Sequence, residues 1–166
     1  PGTNVIRTPL ELAIYHEPGD PSDMPRLEER GWSTRPAYEV SSSPEDYRSY
    51  IQASRGEFSC AKQSCMEFAN AWISDRTICY LASGKPAVVQ NTGGSRFLPD
   101  AEGLFRFDSL AEATEHLNRL SNEDEYVRQC AAARDLVETH FDAAKLLRNL
   151  LDVAMAQAPR SHKHER

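Results

Sequence analysis

The 166-residue sequence has no excess of positive charge, no long apolar run and no cysteines at metal-binding spacing, and each absence removes a class of function. Acidic residues outnumber basic ones 25 to 19, for a formal net charge of −6, so nothing draws the chain to a phosphate backbone and no nucleic-acid partner is expected. No stretch approaches the roughly 20 apolar residues of a membrane span. The opening Pro1-Gly2-Thr3-Asn4 lacks the basic and apolar regions of a signal peptide, which predicts a cytoplasmic location. Cys60, Cys65, Cys79 and Cys130 form no Cys-x-x-Cys pair and have no histidine at zinc-finger spacing. They read as free, mostly buried thiols in a reducing compartment, and no metal is expected.

What is present fits one folded domain. Apolar residues make up 40% and charged residues 27%, near globular averages, which argues against disorder. We expect a single domain over residues 1–158 and a flexible polar tail over 159–166, where His162 and His164 lie in a patternless stretch. Thr8-Pro9 opens either a helix, with Thr8 as cap, or a strand running to His16. Pro18 to Pro25 reads as a surface connection, Met24 to Arg30 as a short charged helix ended by Gly31, and Trp32 to Val40 as a strand.

Ser43-Pro44-Glu45-Asp46 is a well-signalled helix start, Glu57 to Ala61 an interior strand, and Ser74-Asp75 the cap of a helix with Ile78, Leu81 and Ala82 on one side. Gly84 stops that helix, and Pro86 to Gln90 is a continuous apolar run of the kind found in strands buried on both faces. A short strand at Gly103 to Phe107 follows, then helices from Ser109, Asn122 and Asp142, the last reaching about Ala158. Strands alternating with helices predict an α/β, Rossmann-like three-layer sandwich with a small parallel sheet and a helical carboxy-terminal end. In such sheets ligands sit beyond the carboxyl ends of the strands.

The densest chemistry there is Lys62, Trp72, Ser74, Asp75 and Arg76, a charged triplet at a helix N-terminus. Such a terminus attracts anions, Arg76 offers a guanidinium fork for phosphate, and Asp75 offers acceptor oxygens to a vicinal diol such as ribose. The competing explanation is that Ser74-Asp75 is only a cap and Arg76 its surface charge. Asn91-Thr92-Gly93-Gly94-Ser95 is a second candidate, since adjacent glycines let backbone N–H groups approach a ligand, although an ordinary turn has the same composition. His16, His116 and His140 lie in separate elements and assemble no triad. Leu136, Val137, Phe141, Leu146, Leu147, Leu150 and Leu151 recur at helical spacing, as core or an interface does.

From Glu57 to Gly94 the motifs EFSCAK and WISDRTICYLASGKPAVVQNTGG resemble a bacterial glycosyltransferase-like family of the two-Rossmann-domain (GT-B) architecture, and the likeness extends from about Leu12 to Leu151. It implies the carboxy-terminal domain that holds a nucleotide diphosphate sugar. Many such enzymes place a ribose-binding glutamate five residues before the glycine matched by Gly84. Cys79 stands there, and Asp75, one turn earlier on the same helix face, takes the role. The resemblance further implies that Thr92, Gly93 and Gly94 lie near the donor sugar or diphosphate, and that Arg55 or Lys62 supplies positive charge. An acid familiar at position 91 is replaced by Asn91.

The expectation is therefore a donor-binding domain that assists glycosyl transfer without metal or other cofactor. It works with an amino-terminal Rossmann domain that carries the acceptor site, and the Pro1-Gly2 start without methionine suggests an expressed fragment of such a protein. Cys79 and Asn91 favour an alternative, a non-catalytic nucleotide- or partner-binding module on the same scaffold. A purely structural role for apolar terminal helices packed on another domain or subunit is a third.

Overall fold

Alternation of strand and helix runs through the computed structural model, which describes residues 6–15, 24–95 and 97–157. In chain order the elements are β1 (Glu11–Ile14), α1 (Met24–Glu28), β2 (Ser33–Pro36), α2 (Ala37–Ser41), α3 (Pro44–Ala53), β3 (Glu57–Ser59) and α4 (Gln63–Phe68). They continue with α5 (Asp75–Ala82), β4 (Ala87–Gln90), β5 (Leu104–Phe107), α6 (Leu110–Arg119), α7 (Glu123–His140) and α8 (Ala143–Gln157). The Pro1-Gly2 start, His16, most of the Pro18 to Pro25 connection, Ala158 and the tail with His162 and His164 lie outside the described residues.

Two parallel sheets form, β1-β2 and β3-β4-β5, flanked by helices in a Rossmann-like sandwich. β4 is central because both its faces are apolar. Ala87 and Val89 point to a cluster with Leu81, Leu104, Ala133 and Leu136, from α5, β5 and α7. Val88 points the other way, to Phe105, Phe107, Ala113 and Leu117, the last two from α6. The continuous apolar run expected at Pro86 to Gln90 is thus a strand covered by helices on both sides.

Several local expectations are corrected. β3 was expected inside a sheet but stands at the edge of its own, bonded only to β4 among the described strands. The strand expected over Trp32 to Val40 ends at Pro36, which has no N–H to continue a ladder, and Ala37–Ser41 turns into α2. Thr8-Pro9 leads into β1, because pairing of Glu11–Ile14 with Ser33–Pro36 satisfies the backbone there. Along α5 the buried side chains are Thr77, Tyr80 and Leu81, while Ala82 is exposed. Of the four thiols, which are free, only Cys65 is buried; Cys60 and Cys79 are exposed. The leucines of α8 are exposed, whereas Leu136, Val137 and Phe141 belong to the core.

Candidate functional site

Helix α5 starts as its sequence dictates. Ser74 Oγ accepts the Arg76 backbone N–H at 3.2 Å, and Asp75 Oδ1 accepts the same N–H at 3.0 Å. The Arg76 side chain then turns inward to β3, donating from Nε to Glu57 Oε1 at 2.6 Å and from Nη2 to Ser59 Oγ at 2.9 Å. The Glu57 side chain is only 3% exposed, against 47% for Arg76. Burial opposes the charge on Arg76, yet the bond to Glu57 and its negative charge outweigh it, and the guanidinium is held more basic than usual.

These groups line a cleft of about 980 Å³, at the upper end of the roughly 300–1,000 Å³ common for small-molecule sites. Its lining includes Gly56 to Cys60, Leu10 to Ala13, and the rings of Tyr47, Tyr50 and Tyr80. Also in the lining, Arg35 grips Glu11 with two bonds of 3.1 and 3.0 Å, and Tyr50 donates its hydroxyl to Glu11 Oε1 at 3.1 Å. The Arg35 bonds hold the Glu11 carboxyl below its ordinary range. Burial, with the Glu11 contact, pushes the Tyr50 hydroxyl up to about 12. Burial likewise raises Tyr47 and Tyr80, so all three phenols stay protonated at neutral pH.

Asp75 and Arg76 therefore face a concavity, with Ser74 behind them as their cap. Of the other candidates Arg55 also lines the cleft, and the Thr92-Gly93-Gly94 loop does not. Thr92 is 2% exposed and donates its hydroxyl to Trp72 O at 2.7 Å, while its own carbonyl accepts Ala71 N–H at 2.8 Å. Gly93 lies so close to the Ala69 carbonyl that a Cβ would sit 2.8 Å from that oxygen. Thr92 and Gly93 are thus spent on the Ala69–Trp72 loop leading to α5, Gly94 has open space around it, and none of the three lines the cleft. Asn91 bonds Asp108 and the Gly93 N–H.

Arg55 stacks over Tyr126 at 3.8 Å and donates to Leu120 O and Glu123, clamping the start of β3 to the α6–α7 junction. It lines the cleft with its charge already engaged by Glu123. Lys62 is exposed at the entry to α4 and makes no side-chain bond among the described residues. Glu57 was missed as a site residue. Its signal was an acid inside a segment otherwise read as a buried strand.

Compared with known proteins, residues 8–152 match the family model described as glycosyl transferase-like. The chain belongs to the glycosyl transferase-like family. No curated protein and no solved structure matches it. Membership in this family ties the chain to glycosyl transfer and implies a sugar donor as its substrate. Among the described residues of this glycosyl transferase-like chain, no helix is long and apolar enough to cross a membrane.

Proposed function

We propose that this glycosyl transferase-like chain is a donor-binding domain, taking a nucleotide diphosphate sugar at the mouth of the cleft beside α5. The observation that carries the proposal is the pair Asp75 and Arg76, at a capped helix N-terminus and facing a cleft of about 980 Å³. Arg76 spends Nε and Nη2 on Glu57 and Ser59, which fixes the guanidinium and leaves Nη1 for a diphosphate oxygen. Asp75 uses Oδ1 on the Arg76 N–H and leaves Oδ2 for a ribose hydroxyl. The helix terminus adds partial positive charge, so Arg76 and α5 stabilise the departing diphosphate and no metal is needed. Following the GT-B resemblance, an amino-terminal Rossmann domain supplies the acceptor.

Isothermal titration with a nucleoside, its diphosphate and the diphosphate sugar tests this. We expect Asp75→Ala to weaken all three, and Arg76→Lys to weaken only the two that carry phosphate, since lysine lacks the fixed fork. Equal weakening of nucleoside and diphosphate by Arg76→Lys would show that the guanidinium serves the fold alone.

A further inference from the structure

Helix α8 carries its apolar side uncovered. Each residue from Ala143 to Ala156 is exposed, and Leu146, Leu147, Leu150, Leu151, Val153 and Met155 are between 49% and 75% exposed. At about 100° per residue the four leucines and Val153 fall within one half of the helix circumference, while Lys145, Arg148, Asn149 and Asp152 fall in the other. The start of the helix is fixed to the fold: Asp142 Oδ1 accepts the Lys145 backbone N–H at 2.9 Å, and Lys145 Nζ donates to Glu138 O at 3.2 Å. An unsupported helix of 15 residues is marginal in water, and a contiguous apolar face of a few hundred Å² marks a surface that another molecule covers.

The residue order on α8 is symmetric about the point between Arg148 and Asn149. AAKLLR over 143–148 is answered by NLLDVA over 149–154, so apolar, charged and polar positions recur in reverse order. Two such helices laid antiparallel about a two-fold axis through that point bring Leu147 opposite Leu150 of the partner subunit, and Ala143 opposite Ala154 of the partner subunit. An isologous interface has this self-complementarity, in which residue i meets j and j meets i. Ala143, Leu147, Leu150 and Ala154 also keep the four-three-four spacing of a helix-pair seam, and the alanines at its two ends permit close approach.

We propose that α8 is a self-association surface, on which a second copy of this chain docks antiparallel about a two-fold axis between Arg148 and Asn149. The proposal is independent of the donor site. A lipid surface suits the same face less well, because the chain's net charge of −6 opposes anionic headgroups and the polar side of α8 sets two bases against one acid. The size of the contact fixes its strength. Twelve helical residues present a strip about 18 Å long and about 10 Å wide, which falls short of the roughly 800 Å² per partner of a standard interface. The dimer is therefore reversible, forming in the micromolar range, and the monomer folds without it.

Sedimentation velocity of residues 1–166 across the micromolar range tests the proposal. We expect a single monomer–dimer equilibrium. Leu147→Lys and Leu150→Glu alter exposed side chains and leave the core untouched, so each should weaken dimerisation at least tenfold with the near-UV circular dichroism of the fold unchanged. Mixed in equal amounts, the two variants should associate again. Leu147→Lys on one copy then faces Leu150→Glu on the other, and the second Leu147–Leu150 contact is intact. In a parallel pair the two positions 147 would face each other, and mixing would restore nothing.

A chain that stays monomeric throughout the range overturns the proposal. Flotation of that monomer with phosphatidylserine vesicles would then assign the face to lipid, and its failure to float would assign it to another domain. A dimer that both substitutions leave intact, or variants that mixing does not rescue, also overturns it.

Discussion

Arg76 shows how much a single side chain decides here. Its guanidinium is nearly half exposed, but its partner Glu57 is buried, and removing the arginine leaves both carboxylate oxygens without a donor other than solvent fluctuation. Exposure of Arg76 tempers the loss relative to a fully buried pair. We therefore expect Arg76→Ala to lower stability by about 1–3 kcal/mol, read as a shifted urea midpoint at constant slope. Glu57→Leu in the same background should recover part of it, because no orphaned charge remains. An Arg76→Ala midpoint equal to wild type would mean that Glu57 finds water. At this scale the Ser74 cap was legible, since a cap bonds residues two or three positions away. The Arg76–Glu57 pair spans 19 residues and Arg55–Leu120 spans 65. No local pattern reports such distances, which is why Arg55 read as a free cation and is a clamp.

Among the elements, the Ala69–Trp72 loop is under backbone strain that places α5. Ala69 and Ala71 adopt left-handed φ of 42° and 56°, which cost a side-chain-bearing residue about 1–2 kcal/mol each. The Thr92 bonds to Trp72 O and Ala71 N–H hold them there. Ala69→Gly should thus raise stability by up to about 1 kcal/mol in thermal unfolding, and an unchanged or lower Tm would contradict the strain. Gly103 is the opposite case: at φ 87°, a Cβ would lie 2.4 Å from Ala133 N in α7, so Gly103→Ala should cost more than about 3 kcal/mol.

Element type followed the local signals where those were strong. β4 reads correctly because both faces of Ala87 to Val89 are apolar, and α3 because Ser43-Pro44 is a cap followed by a first-turn proline. The strand beginning at Trp32 was overextended, since propensity over Ala37 to Val40 does not register that the ladder stops at Pro36. The edge position of β3 depends on where β1 lies, and strand order is a property of the whole chain. Residues of β1 and β3 both line the cleft although the two strands lie in different sheets, so neither segment announces it alone.

Across the molecule, charge sets the response to acid. Glu11, Glu125 and Asp142 are all held below their ordinary values, by the side-chain bonds of Arg35 and Arg128 and by the Lys145 backbone N–H respectively. A carboxyl depressed in the folded state contributes stability that is complete above its unfolded value, about 3.9 for Asp and 4.3 for Glu, and disappears as pH falls through the lower folded value. Urea midpoints should therefore be level from pH 7 to about 5 and drop below about 4, with Glu11→Gln flattening that acid limb. A midpoint that rose on acidification would show that the pairs do not stabilise the fold.

The central claim, a donor site opening at Asp75 and Arg76, is tested most directly by thermal unfolding of the chain titrated with nucleoside diphosphates and their hexosyl conjugates. A ligand that binds only the folded state stabilises it by RT ln(1 + [L]/Kd), about 2.7 kcal/mol at a hundredfold excess over Kd. We predict a Tm that climbs with the logarithm of concentration for at least one conjugate, and climbs less in Asp75→Ala and in Arg76→Lys. A Tm flat across every nucleotide, or a rise that both substitutions leave untouched, would contradict it.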